Sequence, residues 1–158
     1  MGGGTSDFTL ISVQEDEGDL NLKRIAVGEH ILVGGDNMDW LLAYTVNEKF
    51  SKSGKKLEPW QIQSLTYSAR AAKESLLSDP SLEQASVVIP GRSSKLIGRA
   101  IKEKITQSDV AKTILDGFFP NVEIDDKPVN RLRGGVSRIS LNYAQDAAIT
   151  RHLADFLT

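Results

Sequence analysis

There is no cysteine among the 158 residues, which excludes a disulfide framework and thiolate-ligated zinc and fits a reducing compartment. No apolar run approaches the roughly 20 residues of a membrane-spanning helix. Charge of one sign is missing as well. With 19 basic residues against 21 acidic ones, and a formal net charge of -2, nothing draws the chain to nucleic acid or to a membrane surface. Histidine is scarce: His30 and His152 stand far apart, without the carboxylate spacing of a metal site, so a surface or capping role is the simpler reading for each. No Ser-His-Asp or paired-carboxylate arrangement points to an unrelated hydrolase. The opening Met1-Gly2-Gly3-Gly4-Thr5 lacks the basic and apolar segments of a signal peptide. What remains, at 40% hydrophobic and 25% charged residues, is the composition of a soluble globular protein, with one domain over residues 1–158 and a cytoplasmic location expected.

The patterning alternates between strand and helix signals. Phe8, Leu10 and the Ile11-Val13 pair suggest a strand over residues 5–13, buried on both sides at one end. Asp16-Glu17-Gly18-Asp19 reads as a turn, and residues 20–33 as a second strand completing an antiparallel hairpin. Gly34-Gly35 breaks that strand and Asp36 suits a helix N-cap. Met38, Leu41, Leu42, Thr45, Val46 and Phe50 then recur at helical spacing. A longer helix from about Glu58 carries Ile62, Leu65, Ala69, Ala72 and Leu76 on one stripe, and ends at Asp79-Pro80. Two short apolar runs, 85–89 and 95–101, read as another hairpin around Pro90-Gly91-Arg92-Ser93-Ser94. Thr106 with Asp109 resembles a capping box for a third helix lined by Val110, Ile114, Leu115 and Phe118. Residues 121–142 show no period, and 146–157 read as a last amphipathic helix. The order predicts an α/β fold, with two antiparallel hairpins forming a sheet and helices packed on it.

The chemistry lies in the glycines. Without Cβ atoms, Gly2-Gly3-Gly4 can let backbone N–H groups crowd around an anion, and Thr5 adds a hydroxyl donor. Asp7, two residues on, points the same way as Thr5 and suits a water-mediated Mg²⁺ contact. A flexible linker is the plainer use of such a triplet. Arg131-Leu132-Arg133-Gly134-Gly135 is a weaker phosphate candidate, more simply a basic loop tip. Trp40 and Trp60 are read as packing residues.

Several landmarks in order resemble the DnaK-type (heat shock protein 70) chaperones. Gly2-Gly3-Gly4-Thr5-Ser6-Asp7-Phe8 is similar to that family's second phosphate loop. Ile31-Leu32-Val33-Gly34-Gly35-Asp36-Asn37-Met38-Asp39 is similar to its Gly-Gly helix start. Residues 65–76 resemble its alanine-rich helix, with Lys73 in place of the family's nucleotide-side lysine, and Ile105-Thr106 resembles a later helix start. The likeness is good over residues 2–78, fair over 85–119 and weak beyond. It implies the second lobe of an actin-like ATPase domain, with ATP or ADP and Mg²⁺ as ligands of the longer protein. Gly3, Gly4 and Thr5 would hold the terminal phosphates and Asp7 Mg²⁺-bound water. Lys73 would reach the ribose, with Arg70 beside it on the nucleotide side. Unfolded client peptides, a co-chaperone and a nucleotide-exchange factor would be partners of the parent, and the fragment alone would be inactive.

The departures are specific. The family usually carries an acidic residue where Arg70 stands and a basic one where Glu74 stands, and the expected serine falls at Ser78 rather than Leu77. The stretch from Asn121 to Tyr143 is longer than usual, which suggests an atypical branch. The alternatives are a lobe of another actin-like ATPase or sugar kinase, or a non-catalytic protein-interaction module using residues 121–145.

Overall fold

The computed structural model describes residues 1–91, 100–129 and 145–158. The chain forms two compact units: residues 1–35 with 119–158, and residues 36–118. The described residues are mixed α/β, with two antiparallel hairpins in two separate two-stranded sheets. The single sheet expected from sequence is thereby corrected, since the hairpins belong to different units and no described strand joins them.

In the first unit, β1 (Thr9–Asp16) pairs antiparallel with β2 (Asp19–Val27). Glu17 and Gly18 form the turn with φ of 50° and 92°, the double positive-φ geometry whose twist matches a two-residue hairpin. The register slips between Leu10 and Ile11. β2 ends at Val27, short of the expected Val33. Gly28 N–H still reaches the Phe8 carbonyl at 2.9 Å, and pairing resumes only as a bridge between Ser6 and Ile31. Asp7 therefore faces two residues, Glu29 and His30, and the ladder is interrupted there. The Ser6 hydroxyl, buried, donates to the Val33 carbonyl at 2.9 Å and ties the resumed segment down. The expected two-sided burial of β1 is absent: Ile11, Val13, Leu20 and Leu22 are 50% to 71% exposed, since no described element covers the hairpin.

The last helix, α5 (Ile149–Leu157), starts three residues later than the period suggests. Asp146 explains the delay. Its carboxylate accepts from Ala148 N–H at 2.9 Å and Val129 N–H at 2.8 Å, and from Arg151 through Nε at 2.6 Å and an Nη at 2.8 Å. Those bonds hold residues 146–148 as a loop that fixes the helix start. Phe156 stacks on Phe8 at 5.8 Å between centroids, fastening α5 to the foot of the hairpin.

In the second unit, α1 (Gly35–Lys52) opens one residue before Asp36, so Asp36 lies in its first turn rather than at the N-cap. Met38, Leu42, Ala43, Val46 and Phe50 are buried, while Leu41 and Thr45 are only partly so. Pro59 opens α2 (Pro59–Ser78) at a position that needs no N–H donor, and Glu58 N–H donates to Gln61 Oε1 at 3.0 Å. Leu65, Ala69, Ala72 and Leu76 form its inner stripe, and this face packs on β3 (Gln84–Ile89). Val87, Ile89 and Ile105 meet it fully buried, each large side chain worth roughly 1.5–3 kcal/mol against solvent exposure.

β4 (Ile101–Thr106) pairs with β3 from Ile89↔Ile101 to Gln84↔Thr106. The strand thus begins where the expected run 95–101 ends, and residues 95–99 lie outside the described ones. Thr106 caps α3 (Gln107–Val110) through a reciprocal pair: Asp109 N–H to Thr106 Oγ1 at 3.1 Å, and Thr106 N–H to Asp109 Oδ2 at 3.0 Å. A π-helical stretch at Ala111–Leu115 and a last turn, α4 (Asp116–Phe118), follow without a break. The wider π turn keeps Val110, Ile114 and Phe118 inside but rotates Leu115 out to solvent, against the expectation that it lines the core. No described helix is long and apolar enough to cross a membrane.

Candidate functional site

The glycine start is held by its own backbone. Gly2 N–H donates to the Thr5 carbonyl at 2.8 Å, closing a turn, and Gly35 N–H donates to the Gly2 carbonyl at 3.0 Å. A Cβ built on Gly34 would stand 2.4 Å from the Gly3 carbonyl oxygen and 2.6 Å from that of Gly2. Only glycine permits that approach. The two glycine clusters, separate in sequence, are therefore packed main chain on main chain. Their contact leaves the N–H groups of Gly3, Gly4 and Thr5 without a hydrogen-bond partner among the described residues. A Cβ on Gly4 would meet nothing within 4 Å. Three successive free donors on an exposed, braced loop form a concavity that suits an anion.

Thr5 and Asp7 share a face, as the spacing suggests: Thr5 Oγ1 donates to Asp7 Oδ2 at 3.4 Å. The other oxygen of Asp7 takes the His30 ring through Nδ1. This partner was invisible in the sequence, because it depends on the interrupted ladder that sets two residues opposite Asp7. His30 also lines a cavity of about 370 Å³ with Phe8, Gly28, Leu32, His152 and Phe156. Among the described residues, no group of three or more His, Asp or Glu side chains gathers to hold a metal ion. A lone half-exposed carboxylate such as Asp7 suits an outer contact, through water, to a Mg²⁺ held mainly by phosphate oxygens.

Arg70 and Lys73, which the resemblance would place on the nucleotide side, lie on α2 in the second unit, where both meet one carboxylate. Asp39, on α1, is 1% exposed. Its Oδ2 accepts from Arg70 Nε at 2.6 Å and its Oδ1 stands 2.7 Å from Lys73 Nζ. Arg70 reaches Asp36 with a second nitrogen. Spacing accounts for the set: Asp36 and Asp39 are three apart on α1, Arg70 and Lys73 three apart on α2, so each pair shares a helix face. Sequence reading named the two cations but gave Asp39 no role. The Lys73 side chain is 11% exposed and that of Arg70 42%, which leaves Arg70 the more accessible donor. The Asp39 hydrogen bond, reinforced by its charge, raises the Arg70 pKa above its ordinary value.

Elsewhere, His152 Nε2 lies 3.0 Å from the Asp146 carbonyl. Trp40 stacks on Tyr44 at 5.6 Å, half exposed on α1. The Arg131–Gly135 candidate lies outside the described residues. No protein-family model matches the chain.

Proposed function

We propose that the chain is the second lobe of the ATP-binding domain of a DnaK-like chaperone, with residues 2–5 as its phosphate loop. One observation carries this reading: the consecutive unpartnered N–H groups of Gly3, Gly4 and Thr5, on a loop braced from behind by Gly34 and Gly35. A linker would need no such brace. In this reading the three amides and the Thr5 hydroxyl receive terminal phosphate oxygens, and no side chain blocks the approach at Gly4. Asp7 orders water around Mg²⁺, which when bound neutralises phosphate charge. The ion cluster of the second unit supports a separate, polar contact toward a ribose, made by Arg70 while Asp39 holds both cations in place. Coupling to client peptides, a co-chaperone and a nucleotide-exchange factor belongs to the longer protein.

The test is a titration of the ¹⁵N-labelled chain with magnesium pyrophosphate and with magnesium ATP, followed residue by residue in NMR spectra. The amides of Gly3, Gly4 and Thr5 should shift first, with a dissociation constant in the millimolar range or weaker, about -4 kcal/mol or less in binding free energy. Gly4→Val should abolish those shifts with the fold intact. Unmoved amides at tens of millimolar ligand, or an unchanged response in Gly4→Val, would remove the phosphate-loop assignment.

A further inference from the structure

The hairpin offers an edge that fits a second copy of itself. Because Asp16 and Asp19 flank a two-residue turn, they form a hydrogen-bonded pair, and the pairing alternates from there. Asp19, Asn21 and Lys23 therefore direct their main-chain groups at β1. Leu20, Leu22 and Arg24 direct theirs at the outer edge of β2, which pairs with no further strand among the described residues. An antiparallel partner can use that edge only in registers that match Leu20, Leu22 or Arg24 with one another.

Charge selects among these registers. Centred on Asn21, a β2–β2 pair sets Leu20 of one copy opposite Leu22 of the other, and Asp19 opposite Lys23, each contact occurring twice. Shifted to centre on Leu22, the pair sets Leu20 against Arg24 and Asp19 against Ile25. Centred on Leu20, it sets Asp19 opposite Asn21 and carries Lys23 past the end of the partner strand, opposite its turn. The open edge of β1 has no comparable choice, since Thr9–Asp16 carries Glu15 and Asp16 and no cation. Val13 lies opposite Leu22 and Glu15 opposite Leu20, so each cross-strand row of the joined sheet would run Val13, Leu22, Leu20 and Glu15, apolar across the junction itself. An uncovered strand edge beside exposed apolar side chains is a recognised template for association.

We infer that the chain self-associates as a twofold dimer through β2, in antiparallel register about Asn21. The Asp19–Lys23 pairs are the specificity element, and this interface is independent of the phosphate-loop reading. The side chains of Asp19 and Lys23 are both exposed and make no hydrogen bond or ion pair among the described residues, so substitution there leaves the β1–β2 ladder intact.

Sedimentation velocity across a concentration series tests it. The wild-type chain should pass from monomer to dimer within the micromolar to hundred-micromolar range. Asp19→Lys alone and Lys23→Asp alone each set like charges opposite each other twice, and should weaken the dimer about tenfold or more. An equimolar mixture of the two variants restores both attractive pairs and should recover dimer. A wild-type chain that stays monomeric overturns the proposal, whether or not it captures an extended apolar peptide. So does growth beyond the dimer, an unweakened single variant, or a mixture that fails to recover dimer.

Discussion

Removing Asp39 should destabilise the second unit more than almost any other single polar change. The carboxylate is 1% exposed and holds Lys73, whose side chain is only 11% exposed, at 2.7 Å. In Asp39→Ala, Lys73 loses this carboxylate at a buried position, a loss of about 3–5 kcal/mol. Arg70 adds little to the cost, because it is 42% exposed and retains Asp36. Replacing both partners is different: Asp39→Leu with Lys73→Met removes both desolvation penalties and should stand within about 1–2 kcal/mol of wild type. Trp40 and Trp60 both lie between residues 36 and 118, so tryptophan fluorescence in urea follows this unit alone. At a slope of roughly 1.5 kcal/mol per molar, the single variant should lose about 2–3 M in midpoint and the double variant no more than about 1.3 M. A single variant within about 0.5 M of wild type, or a double variant worse than the single one, would refute the buried-pair account.

Gly34→Ala and Gly4→Ala should separate cleanly. The first places a Cβ 2.4 Å from the Gly3 carbonyl oxygen and should cost at least about 1–3 kcal/mol in melting experiments, while the second meets open space and should be close to neutral. Two equal losses would contradict the main-chain packing of the loop. For Asp146, the Arg151 hydrogen bonds outweigh burial, and with the Val129 and Ala148 N–H groups they hold its pKa well below the usual carboxylate range. The folded state thus binds fewer protons there than the unfolded state, so the contribution is complete above about pH 4 and is lost as pH falls further. NMR signals of Ala148 and Ala154 followed from pH 6 to pH 2 should show α5 loosening only below about pH 4. Loosening between pH 6 and pH 5 would exclude Asp146 as its cause.

The periodic features were the legible ones. The Leu65, Ala69, Ala72 and Leu76 stripe, the Asp16–Asp19 turn and the Thr106–Asp109 capping box follow from local spacing, and they fall where spacing puts them. Features set by distant partners were not legible. Asp146 delays α5 because it is claimed by Val129, seventeen positions earlier. Leu115 turns outward because a π turn changes the period within its own helix. The exposed hairpin misled in the opposite direction, since apolar alternation reports capacity for burial rather than a covering layer. At the site, the glycines and the Thr5–Asp7 pairing were readable as local chemistry. The Gly34 brace, the His30 contact and Asp39 needed the third dimension.

The route of the chain through its two units has a kinetic consequence. Residues 36–118 are contiguous, whereas the first unit is assembled from both ends of the sequence. Phe8 must wait for Phe156, 148 positions later, before its stacking partner exists. Closing so long a loop is slow and is rewarded only at the end. During synthesis the second unit should therefore form first, with the hairpin and its glycine loop emerging early but unfastened. The loop's brace from Gly34 and Gly35 forms over a separation of about thirty residues, well before α5 arrives. A nascent chain stalled before residue 149 should accordingly protect α2 from proteolysis while leaving the foot of the hairpin open to cleavage.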